Sequence, residues 1–112
     1  MENIELAKHF KKKFKNHFKV IVEIKEQNSI QINSSEFIKH FAAMMQALDE
    51  GKSYLKEVAK PEEYLLLSEF ESKVYKDNKE LIENGVNEEV FDKVYNDLRY
   101  IMRSLDNIID TY

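Results

Sequence analysis

The sequence of 112 residues contains no cysteine, which excludes disulfide bridges, thiolate metal sites and a cysteine nucleophile. Because the reducing cytoplasm suits such a chain, we expect a cytoplasmic protein. Glycine occurs twice and proline once, so the phosphate-binding glycine loop and the nucleophile elbow of hydrolases are absent. This scarcity of glycine and proline favours long helices over a turn-rich β architecture.

Long apolar runs are also missing. The longest one, Phe41 to Met45, is far shorter than the about 20 residues that cross a bilayer. The first residues alternate glutamate, lysine and apolar side chains and do not resemble a signal peptide. We therefore expect no membrane span. With 43% hydrophobic residues, 34% charged residues and a net charge of −4, residues 1–112 are expected to fold as a single helical domain.

Apolar residues recur at helical spacing over residues 3–18, where Leu6, Phe10, Phe14 and Phe18 follow one another at steps of four. This is the pattern of an amphipathic helix with a buried phenylalanine stripe. We expect the first helix here.

The period changes to two after this segment. Val20, Val22 and Ile24 alternate with their neighbours in a β-branched run, and residues 29–32 alternate again. Asn28 lies between the two runs and tolerates the positive φ of a tight turn. The pattern predicts a short β-hairpin at about residues 20–32, inserted between helix 1 and helix 2.

The second helix is predicted to start at Asn33, with Glu36 completing a capping box. Its apolar residues follow a 4-3 spacing in which Gly51 occupies one inward position, which indicates close packing against another helix. Lys60 and Pro61 end this helix, because proline restricts the residue before it and suits the first turn of the next helix.

The third helix is predicted from Pro61 to about Glu83, and its apolar stripe is interrupted by Asp77 and Asn78. Gly85 suits the left-handed position that closes a helix. In the fourth helix, Asn87 is the expected N-cap and Val86 and Phe91 form a hydrophobic staple. The cleanest 4-3 repeat in the chain follows, in the order Phe91, Val94, Leu98, Ile101, Leu105, Ile108, Tyr112. The predicted fold is mainly α, with four helices and one hairpin.

Charge is distributed unevenly along the chain. Residues 1–56 carry ten lysines and seven acidic residues, whereas residues 57–112 carry seven basic and fourteen acidic residues. Tyrosines flank the apolar stripes of helices 3 and 4, and tyrosine suits interfaces because it combines a large ring with a polar tip. We predict a partner-binding surface on these two helices, formed by Glu69, Tyr75, Asp92, Tyr95, Asp97 and Tyr100.

The first helix is rich in lysine and gives an alternative prediction. Its lysines could bind phosphate groups of nucleic acid, although the sequence pI of about 5.4 and the lack of arginine in this segment argue against specific base contacts. Packing of the phenylalanines inward with lysines in solvent explains the pattern equally simply. The residues of this alternative are Lys8, Lys11, Lys12, Lys13, Lys15 and Lys19.

Only His9, His17 and His40 can exchange protons near neutral pH. Glu5 and Glu36 lie four residues before His9 and His40, but the spacing of carboxylate-bridged di-iron bundles is absent. We expect no metal, no cofactor and no enzymatic activity. The sequence thus predicts a regulator or inhibitor that binds a basic protein. Nucleic-acid binding and an acidic mimic of DNA are the alternatives, and the repeat of helix 4 also permits a homodimer.

Overall fold

The computed structural model describes residues 2–85 and 87–110. They form four helices, α1 (Asn3–Glu26), α2 (Ser34–Val58), α3 (Pro61–Glu83) and α4 (Glu88–Asp110), arranged as an all-α four-helix bundle. None of these residues is in a strand. The prediction of a mainly α fold with four helices is therefore confirmed. None of the four helices is both long enough and apolar enough to cross a membrane, within the residues described.

The predicted hairpin at residues 20–32 is wrong. Residues 20–26 are the last turns of α1, and a short turn segment leads from there to α2. Ile21 and Ile24 are buried and continue the inward stripe of Phe14 and Phe18, so burial outweighs the β propensity of the run. Asn28 has the predicted positive φ, +50°, but the turn joins two helices instead of two strands.

Consecutive helices run antiparallel, because early residues of one helix contact late residues of the next. Phe10 contacts Tyr54 between α1 and α2, and between α3 and α4 Phe70 contacts Tyr100 whereas the later Asp77 lies beside the earlier Asp97. The α1–α2 pair and the α3–α4 pair are each in contact over most of their length, and α1 also packs on α4. By contrast, α2 approaches α3 at only a few positions, which leaves this side of the bundle more open.

All four helices contribute to one buried cluster. The apolar stripe predicted for the fourth helix is buried throughout its described part, as Phe91, Val94, Leu98, Ile101, Leu105 and Ile108. Tyr112, the last member of the predicted repeat, lies outside the described residues. On α3 only Leu67, Val74 and Leu81 are buried apolar residues, so this helix is the least covered of the four.

Two of the predicted helix boundaries can be checked in atomic detail. Asn87 caps α4, since its Oδ1 accepts hydrogen bonds from the backbone N–H of Glu89 at 2.7 Å and of Val90 at 3.3 Å. Val86, the other half of the predicted staple, lies outside the described residues. The capping box predicted at Asn33 is wrong, because this side chain makes no cap hydrogen bond and its Nδ2 donates to Ser29 Oγ instead.

Gly51 lies where α1 and α2 approach each other closely. A Cβ added to it would be 2.7 Å from the Cβ of Phe10, well inside contact distance. The close packing predicted at Gly51 is confirmed.

Candidate functional site

Asp92 and Tyr95, two of the predicted partner-binding residues, lie on the face that α4 shares with α1. Asp92 forms an ion pair with Lys25, and the ring of Tyr95 packs against Phe18 with a centroid separation of 5.9 Å. Both side chains are half-buried. They contribute to the α1–α4 interface, although 48% of the Asp92 side chain stays exposed.

Asp97 does not lie on the surface, contrary to its predicted role as a partner contact. It is only 2% exposed, and its Oδ1 lies 3.5 Å from Lys73 Nζ on α3. Its Oδ2 is buried and has no hydrogen-bond partner. Burial, followed by the neighbouring carboxyl group of Asp77, raises the pKa of Asp97 to about 7. The sequence pattern missed Asp77, which faces Asp97 across the two helices.

A polar cleft between α3 and α4 surrounds this carboxyl pair. Lys73, Lys93 and Asn96 line it together with the two aspartates and Tyr100. The ring of Tyr100 stacks on that of Phe70 at 5.1 Å and is half-exposed. Because two lysines stand beside two carboxyl groups, the cleft does not present the strongly acidic surface that the charge pattern predicted.

Tyr75 lies on the opposite side of α3, beside α2. Its ring contacts Phe41 edge to face at 6.4 Å, and about half of the side chain is exposed. Burial, followed by the charge of Glu71 and that of Asp49, raises the pKa of the Tyr75 hydroxyl. Glu69, the remaining predicted contact, is exposed on α3. The six predicted residues are therefore divided among several faces of the bundle.

The open side of the bundle forms a groove between α2 and α3, which we call the α2–α3 groove. Its apolar side chains include Ile38 and Ile82, which are 48% and 60% exposed. Its polar lining provides the carboxylate of Asp49, which forms no ion pair with the described residues, and a buried Oδ1 of Asn78 without a partner. The lining consists of Ile38, Phe41, Ala42, Met45, Gln46, Asp49, Tyr75, Asn78 and Ile82.

Comparisons with known proteins find nothing similar to this chain. No family model, no curated protein and no solved structure matches it. What its candidate sites can bind therefore depends on their own geometry.

The lysines predicted as a nucleic-acid site do not share one environment. Lys11 is only 17% exposed and forms ion pairs with Asp106 at 2.6 Å and Asp110 at 3.6 Å. Lys13 lies over the ring of Phe10 at 5.5 Å. The other four are exposed along the outer face of α1 at a 4-3-4 spacing, as Lys8, Lys12, Lys15 and Lys19. We call these four the α1 lysine stripe.

Two histidines meet across α1 and α2, a contact that sequence spacing did not reveal. The Nδ1 atoms of His17 and His40 are 2.9 Å apart, and Glu36 Oε2 lies 3.5 Å from Nε2 of His40. Burial lowers the pKa of His17, and the charge of His40 lowers it further. His9 is exposed and lies eight residues before His17 on α1. Across the described part of the chain, no three or more His, Asp or Glu residues are gathered as metal ligands.

Proposed function

We propose that this protein binds another protein, and that it does so by accepting an amphipathic helix in the α2–α3 groove. The observation that carries this proposal is the apolar lining left open where α2 and α3 separate. Two large apolar side chains of this lining, Ile38 and Ile82, are 48% and 60% exposed, and exposed apolar patches often mark protein-binding surfaces.

The shape of the groove favours a helix as the occupant. Its lining on α2 extends from Ile38 to Asp49, which corresponds to about three helical turns, or roughly 17 Å. Two antiparallel helices form its walls, and helices with apolar residues at i, i+3, i+4 and i+7 dock in grooves of this kind. Tyr75 lies in the lining and offers both a ring and a hydroxyl group.

The polar groups of the groove favour a basic partner. Asp49 supplies a negative charge, and Asn78 supplies a buried carbonyl oxygen without a donor. Among the residues that the structure describes, no lysine or arginine lines the groove. A helix with lysine or arginine beside its apolar face would satisfy both acceptors. This would favour binding, because an unsatisfied buried acceptor costs about 1–3 kcal/mol.

The experiment compares two synthetic peptides of three to four helical turns, one with leucine and lysine and one with leucine and glutamate at the same positions. We expect the basic peptide to bind at least tenfold more tightly, measured by fluorescence anisotropy. Ile82→Glu and Ile38→Glu should abolish this binding. Ile32→Glu is the matched control, because Ile32 is 86% exposed but lies outside the groove.

Three outcomes would contradict the proposal. The first is equal binding of the two peptides, and the second is binding that Ile82→Glu leaves unchanged. The third is a dimer in sedimentation experiments that Ile82→Glu dissociates, because a second copy of the chain would then occupy the groove.

The α1 lysine stripe supports a second candidate function, the binding of nucleic acid through phosphate contacts. Four exposed lysines on one face of a helix can follow a phosphate backbone, and their affinity should fall steeply with salt. Replacement of Lys12, Lys15 and Lys19 by glutamine should then abolish a mobility shift at low salt. Lys76→Gln with Lys79→Gln on α3 is the control. A complex that survives the triple replacement would reject this candidate.

The acidic DNA mimic receives less support. Several carboxylates of α4 pair with lysines of the same chain, as Asp92 does with Lys25 and Asp106 with Lys11. These pairs reduce the negative charge that α4 offers to a partner.

A further inference from the structure

The chain has 17 lysines and arginines in total, and only two of them, Arg99 and Arg103, are arginines. They lie four residues apart on α4, and both are exposed. Both line one small cavity together with Asn96 and Tyr100, which we call the arginine pocket. Because like charges at this spacing repel each other along a helix, the pair favours an anion between them.

The positive charge of the arginine pocket is not compensated within the described part of the chain. No carboxylate of the described residues forms an ion pair with either guanidinium group. Acidic neighbours on α4 have other partners, since Asp92 pairs with Lys25 and Asp106 pairs with Lys11. An anion from outside the described chain would therefore meet two guanidinium groups without a counterion.

Aromatic rings lie beside both guanidinium groups. The Cζ atom of Arg99 lies 5.9 Å from the ring centroid of Tyr95, and that of Arg103 lies 5.8 Å from the ring centroid of Tyr100. The ring of Tyr100 is itself stacked on Phe70 of α3 at 5.1 Å. Contact with a ring face does not use the N–H donors, which lie in the plane of the guanidinium group. The rings thus help to orient the two donor groups.

The size and the donors of the pocket suit a phosphoryl group. Its volume is about 60 Å³. A water-sized group needs about 10–15 Å³ of such space, so roughly four to six groups of that size fit, enough for the four oxygens around a phosphorus atom. Guanidinium groups bind phosphate oxygens in pairs through their planar fork. The amide of Asn96 and the hydroxyl group of Tyr100 can donate as well.

The polar cleft beside the pocket adds further positive charge. Asn96 and Tyr100 line both cavities, and the cleft contains Lys73, Lys93 and the carboxyl pair. Asp97 of this pair is only 2% exposed and lies beside Lys73, so its charge is shielded from the pocket. Four cationic side chains against two carboxyl groups leave the two cavities positive together.

The number of charges favours a monoester over a diester of phosphate. A phosphomonoester carries nearly two negative charges at neutral pH, which matches the two guanidinium groups. A nucleic-acid phosphate carries one charge and has two of its oxygens in ester bonds. We propose that the arginine pocket binds a phosphomonoester dianion, held by Arg99 and Arg103 with Asn96 and Tyr100 as further donors. The site lies outside the α2–α3 groove and the α1 lysine stripe, so it is independent of the proposed function.

The test is a titration of the ¹⁵N-labelled protein followed by nuclear magnetic resonance in a buffer without phosphate. The ligands are a short phosphoserine peptide, its unphosphorylated twin and inorganic phosphate. We expect the phosphopeptide to bind at least tenfold more tightly than its twin and to shift the side-chain resonances of Arg99 and Arg103. Inorganic phosphate should compete with it. The tighter of these two phosphate probes identifies the source as a phosphorylated segment or a free phosphate compound.

Exposed positions allow replacements that should leave the fold intact. Arg99→Gln and Arg103→Gln should each weaken phosphopeptide binding at least tenfold. Arg103→Lys should weaken it as well, because lysine keeps the charge but lacks the planar fork. Lys56→Gln, at an exposed position of α2, is the matched control and should leave the affinity unchanged.

Equal binding of the phosphopeptide and its unphosphorylated twin would overturn the proposal. Equal effects of Arg103→Gln and Lys56→Gln would also overturn it, since any surface cation would then serve. An oligonucleotide without a terminal phosphate that binds the pocket as tightly as the phosphopeptide would assign the pocket to phosphodiesters instead. Loss of phosphopeptide binding when Lys12, Lys15 and Lys19 are replaced by glutamine would place the site on the α1 lysine stripe.

Discussion

Lys52 Nζ on α2 lies 2.5 Å from Oε1 of Glu71 on α3, and this ion pair joins the two helices that border the open groove. Glu71 is 9% exposed and its second oxygen, Oε2, is buried without a partner. The hydrogen bond to Glu71 is the main cause that raises the pKa of Lys52. The carboxylate therefore depends on Lys52 for compensation of its charge.

We expect Lys52→Met to lower the free energy of unfolding by about 2–3 kcal/mol, because it leaves a buried carboxylate without its cation. The double variant with Glu71→Leu should recover most of this loss, since apolar side chains can replace a buried pair at little cost. Urea denaturation of both variants measures the effect. Lys79→Met is the control, because the Lys79–Glu83 pair is exposed and should contribute under about 0.5 kcal/mol.

If Lys52→Met and the double variant lose the same stability, the carboxylate of Glu71 is not the cause and the prediction is wrong.

Gly51→Ala is expected to destabilise the protein despite the better helix propensity of alanine. The propensity gain is about 1 kcal/mol, but the new Cβ would lie 2.7 Å from the Cβ of Phe10, which is fixed to the backbone of α1. Separation of the two helices costs more than this gain. We therefore expect the free energy of unfolding to fall by about 1–2 kcal/mol, as measured by thermal denaturation. Ser53→Ala, at an exposed position of the same helix, should not destabilise.

A Gly51→Ala variant with a higher melting temperature than the wild type would show that α1 and α2 can separate without loss of stability.

The fold could be predicted from the sequence as far as its helical stripes extend. The repeat from Phe91 to Ile108 has no exception, and only a helix buries all its members on one side. The strand prediction for residues 20–24 is wrong because a short β-branched run fits both the helical and the strand period. Whether Val20 and Val22 or Ile21 and Ile24 face inward depends on α2 and α4, which no local pattern contains.

The candidate sites were less predictable, because they depend on the register between helices. The partners of His17 and Asp97 are 23 and 20 residues away in sequence, and a shift of one helical turn would separate either pair. The α2–α3 groove depends on how far apart two helices lie, which is set by the side chains between them. Tyr75, predicted as a partner contact, lies in this groove, which the spacing of residues on its own helix does not reveal.

Lys11 should stabilise the fold, in contrast to its neighbour Lys12. Lys11 joins α1 to the end of α4 through Asp106 and Asp110, whereas Lys12 is exposed. We expect Lys11→Gln to cost about 1 kcal/mol at low salt and less at high salt, because the two carboxylates are partly exposed and their interaction is screened. Lys12→Gln should change the free energy of unfolding by no more than about 0.5 kcal/mol. Thermal denaturation of both variants measures the difference. Equal effects of the two replacements would contradict this assignment.

The carboxyl pair between α3 and α4 should make stability depend on pH. The pKa of Asp97 is about 7 in the folded protein and near 3.8 when unfolded, so the folded state holds a proton that the unfolded state has released over this range. The contribution of Asp97 is therefore fully present below about pH 4 and is lost as the pH rises through 7. The charged groups facing it are Asp77 and Lys73 on α3, and Lys93 lines the same cleft.

We expect Asp97→Asn to remove this dependence, because asparagine keeps the shape and stays neutral. Between pH 4.5 and pH 7.5, the free energy of unfolding of the variant should rise by about 1–2 kcal/mol relative to that of the wild type. This value is smaller than the full pKa shift of Asp97 would give, because water in the cleft screens the charges. Asp77→Asn should give part of the same gain, since it removes the nearby carboxyl group that raises the pKa of Asp97. Urea denaturation of the three proteins at both pH values measures the difference. Parallel pH profiles for the wild type and Asp97→Asn would mean that Asp97 is already ionised at pH 4.5, so that burial between α3 and α4 does not hold its proton.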